Sequence, residues 1–74
     1  MSVLADLAPG ATSRVLRVEG ADDISLRLLE MGLTPGVEVL CLGVAPLGDP
    51  LEFEVRGYRI SLRITEAHRV QIRS

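Results

Sequence analysis

From Leu51 to Ile64 the chain alternates apolar and polar side chains around a single interruption, and this period of two is the feature that most restricts the fold. Leu51, Phe53 and Val55 fall on one face, with Glu52, Glu54 and Arg56 on the other. After Gly57, the apolar set continues with Tyr58, Ile60, Leu62 and Ile64 and the polar set with Arg59, Ser61 and Arg63. The pattern is that of two half-buried strands, and Gly57 supplies the turn residue of a hairpin between them. A two-residue Arg56-Gly57 loop pairs Val55 with Tyr58 and Phe53 with Ile60 on the inner face and sets Glu54 opposite Arg59 outside. Packing and charge then specify the same register.

The rest of the chain reads as short elements between turns. Leu4 and Leu7 anchor an N-terminal segment that ends at Pro9-Gly10, and residues 13–18 form a β-branched strand whose imperfect alternation predicts a twist or bulge. A helix is expected from Asp22 to Met31. Asp22 is its N-cap, Asp23 adds negative charge to the first turn, and Gly32 takes the left-handed position after the last turn with Leu33 as its hydrophobic partner. Ile24, Leu28 and Met31 line the face expected to be buried, and Leu26 and Leu29 lie off it. Pro35-Gly36 turns the chain into a strand over residues 37–44 that is apolar on nearly both faces. A turn at Glu66-Ala67-His68 leads to a last strand over residues 70–73.

About five strands with one short α-helix inserted after the first close most economically as a small, partly open SH3-like barrel, mainly β, with an OB-type barrel as the runner-up. The 74 residues are read as a single domain, 1–74, because a chain of this length has room for one core.

Composition excludes several functions. The chain is 47% apolar with only two aromatic residues, Phe53 and Tyr58, too hydrophobic for disorder. Its apolar runs fall far short of the roughly 20 residues of a membrane span. No basic stretch precedes an apolar one near Met1, so a soluble, intracellular domain is expected, without membrane insertion. One cysteine and one histidine build neither a disulfide nor a metal staple within the chain. Eight arginines, no lysine and ten acids leave a net charge of −2. Without a basic excess or aromatics for stacking, neither a nucleic acid nor an anionic membrane surface is a suitable partner.

The residues of catalysis are also missing. There is no Walker A sequence and no Gly-x-Gly-x-x-Gly after a strand. Cys41 shares strand parity with Val37 and Val39, which marks it as a small buried hydrophobe, and His68 falls in a surface turn with no companion nucleophile. Asp22 and Asp23 are explained by helix capping and Asp49 by its turn, so no cofactor, catalytic residue or intrachain metal ligand is assigned. A weak site shared between chains of a homo-oligomer is left open. What stays unexplained is apolar: Leu26 and Leu29 on the helix, Leu40, Leu42 and Val44 on the Glu38 face of their strand, and Leu47 in a Pro/Gly loop. Either they form a patch for a partner, or the helix lies over the barrel flank and covers them.

Two stretches carry a family resemblance. Arg27-Leu28-Leu29-Glu30-Met31-Gly32-Leu33-Thr34-Pro35-Gly36 resembles the R-L-x-x-[LM]-G-[LIM]-x-P-G motif of the ferrous iron transport protein A (FeoA) family, and Ala45-Pro46-Leu47-Gly48-Asp49-Pro50 resembles that family's loop between its second and third strands. The opening Leu4 to Gly10 and the alternating hairpin match in outline. The resemblance implies a small cytoplasmic SH3-like domain, not an enzyme, that works with the membrane ferrous iron transporter FeoB by binding its GTPase region or helping assemble the transport complex. Leu26, Arg27, Leu29, Pro46, Leu47 and Asp49 are the residues expected to meet such a partner, with Arg27 also readable as a plain helix surface charge. Asp22, Gly32, Pro35, Gly36 and Gly57 are expected to shape turns and caps. The alternative is a stand-alone metal-sensing domain related to the one that closes iron- and manganese-dependent repressors. This chain shows no helix-turn-helix, and its start at Met1 with its own Leu-x-x-Leu segment is read as that of a complete protein.

Overall fold

A computed structural model describes residues 2–73, so Met1 and Ser74, the ends of the expected domain, lie outside the described residues. In chain order the elements are β1 (Ser2–Val3), a single 3-10 turn (Leu4–Asp6), β2 (Thr12–Val18), α1 (Asp23–Glu30), β3 (Glu38–Val44), β4 (Leu51–Val55), β5 (Tyr58–Leu62), α2 (Ile64–Ala67) and β6 (Val70–Ile72). The strands form one antiparallel sheet in the order β1-β6-β2-β3-β4-β5.

The bend that turns this sheet into a barrel lies in β2. Its first half, Thr12 to Arg14, pairs with β3, while Val15 to Val18 pair with β6 across a register shift between Val15 and Arg17. A bulge adds local twist, so one strand serves both halves of the barrel. The bulge expected from the imperfect alternation is present, and the architecture is the mainly β, SH3-like barrel expected.

The sheet has six strands where about five were expected. The addition, β1, is two residues long, too short to show any alternation, and is defined only by pairing Ser2 with Ile72 and Val3 with Gln71. The expected turn at Glu66 is instead part of α2, one helical turn that begins at Ile64. Ile64 therefore leaves the strand pattern that its parity suggested.

The hairpin follows its expected register throughout: Leu51 opposite Leu62, Phe53 opposite Ile60, Glu54 opposite Arg59 and Val55 opposite Tyr58. Arg56 and Gly57 have φ of 54° and 82°, the two positive values of a type I′ turn. Two details differ from expectation. Tyr58 is 75% exposed despite its inward parity, because it sits at the hairpin tip beyond the reach of the core. Arg59 meets the diagonal Glu52 at 3.8 Å, and not the Glu54 directly opposite.

Phe53 sits in the middle of the core with Leu4, Val15, Leu28, Leu33, Val39, Val55, Leu62, Val70 and Ile72, all essentially buried, and Cys41 packs among them as a free thiol. A second bulge, between Cys41 and Gly43, reverses the parity of β3, so that Val44 pairs with Leu51. Leu40 and Val44 consequently do not share the single face that uninterrupted alternation assigned to them.

Candidate functional site

Helix α1 is set by its two ends. The Asp22 carboxylate accepts the Ser25 backbone N–H at 3.1 Å, and the Ser25 hydroxyl donates to the Asp22 carbonyl at 2.8 Å. At the other end the Gly32 N–H donates to Leu29 at 3.0 Å and the Leu33 N–H to Leu28 at 3.2 Å, with Gly32 at φ 103°. This is a Schellman ending, and its hydrophobic contact joins Leu28 to Leu33, both fully buried. The face that meets the core is Ser25, Leu28 and Met31. Ile24, expected on that face, is exposed, because the hydroxyl of Ser25 is satisfied locally by Asp22 and can take the buried position in its place.

Three polar ties fix this helix and its neighbours against the barrel. Arg69, just before β6, grips both oxygens of Asp22 at 2.6 and 2.8 Å. That hydrogen-bonded guanidinium, helped by the Ser25 N–H, holds the Asp22 carboxyl well below the usual carboxylate range and raises Arg69 in return. Gly20, at φ of 94°, holds a backbone conformation that strains any side chain, and a Cβ there would press on the end of the Arg69 side chain at 2.7 Å. Arg27 bonds Glu66 of α2, whose other oxygen accepts the Arg63 backbone N–H at 2.9 Å. Asp49 accepts the Ile64 N–H at 3.0 Å, which joins the loop before β4 to the start of α2.

The last two ties border a groove of about 440 Å³ lined by Arg27, Asp49, Pro50, Ser61, Arg63 and Glu66. The two motif stretches of the sequence, far apart along the chain, meet across it through Arg27 and Asp49. The remaining expected contact residues lie elsewhere. Leu26 and Leu29 border a separate depression beside the first turn of α1, and Leu47, 97% exposed, stands in the loop containing the cis Asp49–Pro50 peptide, where Gly48 donates to Ala45 at 2.8 Å. Gly36, at φ 90°, follows Pro35 in its turn and donates to Val15 at 2.7 Å while its carbonyl accepts Arg14 at 2.9 Å.

Sequence reasoning passed over Ser61, Arg63 and Glu66. The available signal was the three-residue spacing of Arg63 and Glu66, in which an acid reaches back to the N–H that precedes a helix. Among the described residues no three His, Cys, Asp or Glu side chains gather as metal ligands, and no helix is long and apolar enough to cross a membrane. Cys41 is buried and His68 is the exposed C-cap of α2.

A small bulged barrel closed by a short helix, with a surface groove and exposed leucines, defines an SH3-like domain. Residues 3–74 match the FeoA domain family, and the chain belongs to that family. It is 33% identical over 69 residues to an Fe(2+) transport protein A/Fe(2+) transporter FeoB fusion protein of Porphyromonas gingivalis, a match covering 93% of this chain and 8% of that protein. The iron(II) transport protein A of Clostridium thermocellum superposes with a TM-score of 0.90 at 35% identity, over 96% of this chain and 44% of that one. The zinc complex of FeoA from Stenotrophomonas maltophilia, described as a prokaryotic SH3 domain protein, gives 0.87 at 34% identity, over 99% and 91%. A manganese-dependent transcriptional repressor superposes at 0.84 with 15% identity over 96% of this chain and 40% of that one, a likeness of fold alone.

Proposed function

We propose that this chain is a cytoplasmic accessory protein of ferrous iron uptake that acts by contact with the GTPase region of a FeoB-type membrane transporter. The observation that carries the reading is the Porphyromonas gingivalis relative, a fusion protein that joins an Fe(2+) transport protein A to an Fe(2+) transporter FeoB in one polypeptide. A fusion keeps its parts at high effective concentration, which suits two domains whose work depends on touching. The surface proposed for the contact comprises Leu26 and Leu29 on α1, Arg27 and Asp49 in the groove, and Pro46 and Leu47 in the loop before β4. Leu26 and Leu47 are exposed large apolar side chains, and burying them against a partner removes apolar area from water without disturbing this core. The role is one of binding, with no chemical step assigned to the chain.

Calorimetric titration with the isolated GTPase region of a FeoB-type transporter tests the reading. Leu26→Asp and Leu47→Asp are expected to weaken association by about tenfold or more while the circular dichroism spectrum is unchanged. Binding that both variants leave intact counts against this surface, and no binding by the unaltered chain counts against the partner.

A further inference from the structure

We propose that the exposed flank of α1 docks a basic amphipathic helix of a partner protein, one that presents aliphatic side chains between two cations about two turns apart. The inference rests on the reading of this chain as a contact protein and adds the chemistry of what meets Leu26 and Leu29.

Asp23, Leu26 and Glu30 follow one another along α1 three and then four positions apart, so they share one exposed ridge, with Leu29 beside it. At about 1.5 Å of rise per residue the two acids lie about 10 Å apart along the axis. Leu26 is 56% exposed, and with Leu29 and the small residues Gly20, Ala21 and Ser25 it lines a depression of about 320 Å³. The small neighbours leave room there for an aliphatic side chain.

Charge decides what covers this ridge. Among the described residues no ion pair and no side-chain hydrogen bond engages Asp23 or Glu30. Asp22 is already matched by Arg69, the one arginine of α1, Arg27, turns to Glu66, and no arginine lines the depression. The helix dipole accounts for Asp23 in the first turn but not for Glu30. That residue stands in the last turn, where the dipole disfavours an anion, and no cation pairs with it. An incoming cation supplies what Glu30 lacks.

The same two acids argue against other occupants. Two copies meeting α1 on α1 about a two-fold axis bring Asp23 opposite Glu30 if antiparallel, or each acid against its own counterpart if parallel, like charges in either case. A phosphate-bearing surface is repelled for the same reason. A helix with Lys or Arg at i and i+7 and Leu at i+3 and i+4 fits throughout: its cations reach Asp23 and Glu30 while its leucines enter beside Leu26 and Leu29.

The test uses the ¹⁵N-labelled chain and a blocked alanine-rich helical peptide of about four turns, with a central Leu-Leu pair and a lysine one turn to either side. Comparison peptides replace both lysines by glutamate or move both to the far side of the helix. The first peptide is expected to shift the amides of Leu26, Leu29 and Glu30. Binding should be about tenfold weaker for each comparison peptide and for the Asp23→Asn, Glu30→Gln double variant, and should weaken as salt is raised. Glu30→Gln alone is expected to hold or raise the thermal midpoint, so its weaker binding is not lost folding; a lowered midpoint would show that Glu30 serves the helix itself and overturns the argument. Equal shifts from all three peptides, undiminished binding by the double variant, or no shift at millimolar lysine peptide also overturn the proposal. So does movement of these amides with protein concentration alone, since a second copy would then be the occupant. Loss of the peptide result while the GTPase region still binds through Leu26 defeats this inference alone, and peptide binding without GTPase-region binding defeats only the choice of partner.

Discussion

The tip of the β4–β5 hairpin and the groove end of the barrel are held together by different physics. The hairpin is local. Its pairs lie close in sequence, its period of two persists for ten paired residues, and its turn is two residues with positive φ. The groove and the start of α1 are held by polar contacts between distant residues: Arg27 with Glu66 at a separation of 39 and Asp49 with Ile64 at 15 at the groove, and Asp22 with Arg69 at 47 where α1 begins. A local pattern is visible in a single sequence because each residue supports its neighbours, whereas a tie between remote residues leaves no periodic trace.

The shared core provides the largest expected effect, and it should not distinguish the two ends. Phe53→Ala removes a fully buried ring and is expected to cost about 3–5 kcal/mol, read as a drop in the midpoint of chemical unfolding. Protection that survives at one end of this variant in amide exchange would show that the ends unfold separately. A smaller loss, about 1–2 kcal/mol, is expected for Gly32→Ala, because φ of 103° strains any side chain at the end of α1. It should be accompanied by faster exchange in α1 and little change in β4 and β5.

Acid should distinguish the ends more sharply. The carboxyl of Asp22 is lowered in the folded chain relative to the unfolded one, so its contribution to stability is fully present above about pH 4 and is lost as pH falls further toward the folded value. Lowering pH from 5 to 2.5 is expected to reduce protection, measured against the intrinsic exchange rate at each pH, at Ser25 and Leu26 before it does so at Phe53 or Ile60. Arg69→Ala should remove most of that difference. The smallest effect expected is a gain: Arg56→Asn places a residue that accepts positive φ before Gly57 and should stabilise by about 0.5–1 kcal/mol, raising the thermal midpoint without altering the groove.

Legibility in the sequence follows the same division. The hairpin register, the bulge in β2, the N-cap at Asp22, the Gly32 ending of α1 and the burial of Cys41 are all carried by neighbouring residues, and all are found as expected. The second bulge escaped because an added residue in β3 looks the same as continued alternation until its partner strand is known. The buried face of α1 was misjudged because a serine that satisfies its own hydroxyl can be buried, which a count of apolar residues does not reveal. At the candidate site Arg27 and Asp49 are singled out by their motifs, but Ser61 enters the groove from β5, and Arg63 and Glu66 from the turn of chain after it.

The pairing of Ser2 with Ile72 has a practical consequence. The two ends of the described chain leave the barrel side by side, so another polypeptide can carry the domain at either end, or between two of its own segments, with little change in geometry. A circular permutant that joins these ends through a short glycine linker and opens at Arg56-Gly57 would keep every strand neighbour. The barrel can in this way be presented to a partner from a single attachment point, as a pendant module.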